Sequence, residues 1–172
     1  RLRHLEAHGF AEAVLTGVNL NQYKFIFIGD ENFYSPFPIE KYKTVVFSHY
    51  QIKEQGLASQ SISSMFSNDP LKVRVGNKDI QVYNLAKNLQ GVAIPYYFLD
   101  KSTKSSALIT YALTYPTSSG NDIGDVISFA KKGERLANGK IAKEEICFFG
   151  ITNSRYWTND SRELLKECVK YV

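Results

Sequence analysis

The sequence predicts an α/β fold: a flavodoxin-like open parallel sheet with helices on both faces, plus an added antiparallel, β-rich segment at about residues 71–140. Three observations predict it. Residues 23–28 (Tyr-Lys-Phe-Ile-Phe-Ile), 42–48 (Tyr-Lys-Thr-Val-Val-Phe-Ser) and 146–149 (Ile-Cys-Phe-Phe) are short continuous apolar runs, the pattern of strands buried on both faces. Residues 144–172 read as a strand, a polar and aromatic loop, and an amphipathic helix, the last βα unit of such a sheet. Between residues 71 and 140 the pattern changes to strand-like runs separated by short polar turns.

The closing unit is the clearest element. Gly150 ends its strand. Thr158 or Asp160 can cap the helix, and Asp160 with Glu163 three residues on fits a capping box. Leu164, Leu165, Cys168, Val169 and Val172 recur at helical spacing, with Arg162, Lys166 and Lys170 on the other side. In open α/β sheets, ligands bind at the carboxyl ends of the strands.

At the other end, residues 1–8 read as the tail of a helix stopped at Gly9, and residues 10–16 as a strand. A helix feeding a strand implies an earlier strand. The expectation is therefore one domain over 1–172 that lacks its first strand, with a truncated or processed N-terminus. His4 and His8 have i, i+4 spacing that suits a metal, but no third ligand accompanies them, so an exposed helix surface is the better reading.

The strand at 23–28 runs into Gly29-Asp30-Glu31, two carboxylates at a strand's carboxyl end. They can bind a hydroxyl, an amine or a metal ion, or simply cap backbone donors in the loop. The strand at 42–48 runs into His49-Tyr50, which places an imidazole where a general base would sit. Its ordinary alternative is a histidine hydrogen-bonded within its loop. Residues 53–66 read as a short helix, and Asn68-Asp69-Pro70 as a turn. Residues 71–75, 80–83, 91–99 and 107–113 read as strands. Pro95 marks an edge or bulge, and Tyr96 and Tyr97 are either cleft-lining or packing aromatics. Residues 115–122 are loop-like, and Asn138-Gly139 is the strongest hairpin signal in the chain.

Composition narrows the function classes. A chain of 172 residues, 44% hydrophobic and 22% charged, is ordinary for one globular domain. The net charge of +4 is carried by scattered residues, and the aromatics fall inside strands, so no nucleic-acid surface is expected. No run approaches the ~20 apolar residues of a membrane helix, so no transmembrane segment is expected. Two cysteines make neither a disulfide framework nor a four-ligand zinc site. Cys147 and Cys168 read as small buried hydrophobes that can also face each other and bond. No glycine-rich phosphate loop or Gly-x-Ser-x-Gly elbow is present, and no cofactor is expected.

Phe148-Phe149-Gly150 at a strand end, a short loop, Tyr156-Trp157-Thr158, then Glu163-Leu164-Leu165 and an apolar helix resemble the C-terminus of class I glutamine amidotransferase-like domains. The similarity is to the trehalose-utilisation (ThuA-like) branch and related non-catalytic domains. The runs at 25–28 and 44–47, each after a Tyr-Lys pair, fit that family's early parallel strands. Catalytic members carry a Gly-x-Cys-x-Gly elbow, which this chain lacks, and Thr152-Asn153-Ser154 stands where their His-Pro-Glu-like segment would be. The resemblance thus implies the fold without the amidotransferase chemistry.

Two functional expectations follow. The first is a non-catalytic amidotransferase-like domain serving as a binding or structural and assembly module within a larger or extracellular protein. Its surface would be Asp30, Glu31, His49, Tyr50, Asn153, Tyr156 and Trp157, and its partner a protein, a second copy or a carbohydrate. The second is a hydrolase-type enzyme using His49 with Asp30 or Glu31. Asn159-Asp160-Ser161 is also an N-glycosylation sequon, consistent with an extracellular or cell-surface setting.

Overall fold

Runs of β-branched and aromatic residues form the nine strands that the computed structural model shows among the residues it describes, namely 19–30, 36–61, 63–65, 71–115 and 123–172. They are β1 (Ile26–Ile28), β2 (Thr44–Val46), β3 (Ser63–Met65), β4 (Lys72–Val75), β5 (Lys78–Gln81), β6 (Tyr96–Asp100), β7 (Leu108–Thr114), β8 (Gly124–Ala130) and β9 (Ile146–Phe149). Two α-helices are described, the single turn α1 (Ile52–Gln55) and α2 (Asn159–Tyr171). The expected helix at 1–8, the strand at 10–16, His4, His8, Glu31, the turn at 68–70 and most of the 115–122 loop lie outside the described residues.

The sheet runs in the order β1-β2-β9-β8-β7-β4-β5, with β6 pairing β8 and β3. Only β1–β2 and β2–β9 are parallel; every other pairing is antiparallel. The α/β class therefore holds, but the sheet is mixed and mostly antiparallel. Helical layers on both faces are not what the described residues form. A parallel strand pair needs a crossover of a dozen or more residues, usually a helix. Here the chain between β2 and β9 is spent on strands β3 to β8 instead.

The helix expected at 53–66 is cut short for a local reason. Gly56 adopts φ +83°, and its N–H caps the carbonyls of Ile52 and Lys53. The backbone at 63–65 pairs with β6, with Ser64 opposite Tyr97. Strand ends also move inward from the expected limits. β1 begins at Ile26, because residues 20–22 form a 3-10 turn, and as the outermost strand of the path it leaves Phe27 38% exposed. The Asn138-Gly139 turn is present. Gly139 takes φ +83°, and Leu136 N–H donates to the Lys140 carbonyl at 2.8 Å.

All four residues of β9 are buried, as are all three of β2. Their side chains alternate between two hydrophobic clusters. Val45, Cys147 and Phe149 join Ile127, Trp157, Leu164 and Cys168 under α2. Val46, Ile146 and Phe148 join Ile28, Ile52, Leu57 and Ala130 beside α1. Fully buried Asp125 on β8 accepts hydrogen bonds from Lys104 Nζ at 2.6 Å and Thr110 Oγ1 at 2.8 Å. Burial pushes its carboxyl up, against the pull of those two donors.

Helix α2 starts at Thr158, whose hydroxyl accepts from Ser161 N–H at 3.1 Å and donates to the Gln81 carbonyl at 2.8 Å. Asp160 is in the first turn and is not the cap. The Ser161 hydroxyl donates to the Val82 carbonyl, so the helix start is tied to the chain leaving β5. Deeper in, Cys168 of α2 and Cys147 of β9 form a disulfide across a Cα–Cα distance of 5.7 Å. The bond closes a loop with a sequence separation of 21. Replacing both cysteines by alanine should cost about 3 kcal/mol in urea unfolding, mostly through the freed unfolded chain. A loss below about 1 kcal/mol would mean that the cross-link does not constrain that chain.

Candidate functional site

Parallel pairing of β1 with β2 sets the site. Ile28 lies opposite Val46, and Phe47 N–H donates to the Ile28 carbonyl at 2.8 Å. Continuing past these strand ends, Gly29-Asp30 and Ser48-His49 emerge side by side. The Ser48 hydroxyl accepts from Tyr50 N–H at 3.1 Å and bends the chain at that point.

Asp30 Oδ1 then receives two bonds from one residue. His49 N–H reaches it at 3.1 Å, and His49 Nδ1 lies 2.5 Å away. A carboxylate only accepts, so Nδ1 carries a hydrogen in this contact, and of the two neutral tautomers the contact selects the one whose lone pair is on Nε2. The two side chains are 29% and 20% exposed, close enough to solvent to reach a ligand and shielded enough for the contact to matter.

Two tyrosine rings frame the imidazole. Tyr97 of β6 stacks on it with centroids 3.9 Å apart and planes 7° apart. Tyr50 sits at the same 3.9 Å, tilted by 36°. Burial raises the Tyr97 phenol, and the negative charge of Asp30 and the neighbouring Tyr50 push it the same way. Fully buried Tyr83 donates to the Pro95 carbonyl at 3.1 Å and accepts from Asn153 N–H at 3.2 Å. Burial is also the main cause that raises its phenol, and Tyr97 and Asp30 act in the same direction.

His49 and Tyr50 open into a cleft of about 250 Å³ that is completed by Gln51, Ile52, Lys53, Glu54 and Ser61. Gln51 has φ +59°, the positive φ found at no other non-glycine position among the described residues. Such a conformation costs on the order of 1 kcal/mol and concentrates at functional sites. A similar cleft of about 260 Å³, lined by Tyr23, Lys24, Lys43 and Glu144 among others, carries no comparable constellation.

The residues expected from sequence divide accordingly. Asp30, His49 and Tyr50 meet. Asn153 donates its backbone N–H to the hydroxyl of Tyr83. Tyr156 is half-buried against the core, with the Arg155 guanidinium 5.8 Å from its ring. Trp157 is not the exposed platform expected. It is 9% exposed, packs on Phe47 and Phe149, and donates its indole N–H to the Ile151 carbonyl at 3.0 Å. Asn159 is exposed in the first turn of α2, with its side-chain oxygen 3.3 Å from Arg162. The residues that sequence reasoning left undecided or missed are Tyr97 and Gln51. The Tyr96-Tyr97 pair was a signal, but only the fold says which ring faces the site: Tyr96 is fully buried.

The arrangement supplies an imidazole oriented by a carboxylate beside a solvent-accessible cleft. Among the described residues no group of three His, Cys, Asp or Glu side chains can hold a metal ion. No helix of the described residues is long and apolar enough to cross a membrane. No protein-family model, curated protein or solved structure matches the chain. The division between site and core is measurable. Trp157→Ala should cost about 3–5 kcal/mol in chemical unfolding, whereas Tyr50→Ala should stay within about 0.5 kcal/mol of wild type. Equal costs would contradict it.

Proposed function

We propose that this chain is a hydrolase-type enzyme in which His49, oriented by Asp30, acts as general base on a water or substrate hydroxyl in the cleft beside Tyr50. The observation that carries this reading is the Asp30–His49 contact at 2.5 Å, at the carboxyl ends of two parallel strands. Asp30 holds the tautomer that leaves Nε2 available, and its charge stabilises the imidazolium formed when Nε2 takes the proton. The strained Gln51 on the cleft wall supports the same location.

A second reading is the non-catalytic amidotransferase-like module, binding a protein partner, a second copy or a carbohydrate. It is supported by the cysteines. The only two in the chain are bonded to each other, which leaves no thiol for the family's nucleophile. The flavodoxin-like element of that reading rests on the parallel β1-β2-β9 end of the sheet.

The test is turnover of chromogenic carboxylic esters, phosphate esters and glycosides by the full chain. At least one class should be hydrolysed above buffer, and His49→Gln should lower kcat/KM by about 100-fold or more. Absence of turnover with every class, or undiminished turnover in His49→Gln, would overturn the enzyme reading. Sugar-dependent changes in Tyr50 and His49 resonances would then support the binding module.

A further inference from the structure

The Asp30 bond fixes one edge of the His49 ring, but a single hydrogen bond leaves the ring free to swing about that contact. A second constraint must set its plane. Two aromatic rings at 3.9 Å cannot share one face of an imidazole, so Tyr97 and Tyr50 take opposite faces. They are not equivalent. Tyr50 is 38% exposed and adjoins the strained Gln51. Tyr97 is half-buried, packs against the core cluster beside α1, and is nearly parallel to the imidazole at 7°.

The backbone of Tyr97 is also anchored, and by the element that ends β9. Tyr97 N–H donates to the Gly150 carbonyl at 2.8 Å. A Cβ on Gly150 would lie 2.0 Å from the Tyr97 carbonyl oxygen and 3.1 Å from that of Val126. No side chain fits there without pushing β6 away. The glycine that closes Phe148-Phe149-Gly150 is therefore what allows β6 to come close enough to lay a ring over His49.

We infer that Tyr97 is a positioning residue for His49: its ring face, held in place by the close approach of β6 to Gly150, sets the imidazole plane so that Nδ1 meets Asp30 and Nε2 meets the cleft. The inference rests on the general-base reading for its consequence in catalysis, but the positioning itself is independent of any turnover. It is the ring, not the hydroxyl, that matters.

Nitrogen NMR of His49 in the full chain, read beside steady-state kinetics, tests it with Tyr97→Phe, Tyr97→Leu, Tyr97→Met and Gly150→Ala. Tyr97→Phe, which keeps the ring, should keep the single Nδ1–H tautomer of wild type. Tyr97→Leu, Tyr97→Met and Gly150→Ala should give a mixture of tautomers and lower kcat about tenfold or more, with KM little changed. Carbethoxylation of His49 by diethyl pyrocarbonate, mapped by peptide mass against His4 and His8, should change in the same three variants and not in Tyr97→Phe. Any one of the three that folds, judged by circular dichroism, suffices. A wild-type tautomer and reactivity in the folded leucine or methionine variant would overturn the inference. If wild type hydrolyses none of the probes, the tautomer and the labelling still decide the positioning, so the two failures are separable.

Discussion

Burial of β9 on both faces is the constraint on which the rest of the structure depends. A strand with no solvent-facing side must find an apolar layer above and below, and its four residues do so by alternation. Cys147 and Phe149 enter the cluster under α2, and Ile146 and Phe148 enter the cluster beside α1. Its two edges are equally committed, to β2 in parallel and to β8 in antiparallel pairing. The disulfide to α2 and the packing of Phe149 against Trp157 make one face permanent. The closing glycine lets β6 cross the strand end. Because β9 is fixed in this way, β2 is fixed beside it and β1 beside β2. The strand ends that carry Asp30 and His49 are therefore held by the core and not by their own loops.

That dependence explains what was legible in the sequence. The continuous apolar run at 146–149 announces a doubly buried strand, and the spacing of Leu164, Cys168 and Val172 announces the face of α2 that covers it. Asn138-Gly139 announces its turn because only a few residue types tolerate a positive φ. What did not come through was partner choice. A short strand such as 96–100 carries no mark of which neighbours it will pair with. The antiparallel segment expected at about 71–140 is there as β4 to β8, but it is part of one mixed sheet and not an addition to a parallel sheet with helices on both faces. Helix length at 52–55 was lost for a related reason. The pattern continues past Gly56, but that glycine's left-handed conformation stops the helix.

The site shows the same split. Asp30 and His49 were legible as candidates because each follows an apolar strand by a few residues, and parallel register then brings them together. Trp157 misled because an aromatic in a polar loop looks exposed until the loop folds back onto Phe47 and Phe149. Tyr97 is the converse. It contacts His49 only because β6, distant in sequence, crosses the end of β9, and no local pattern reports such a crossing. The chemistry of the site is thus assembled from a local signal and a long-range one.

A double-mutant cycle on Asp30 and His49, by urea unfolding of wild type, Asp30→Asn, His49→Gln and the double variant, most directly measures the interaction from which the site is built. The account predicts a coupling of about 1.5–3 kcal/mol, the range for hydrogen bonds to a charged group. Single-variant losses that simply add, with coupling near zero, would contradict it.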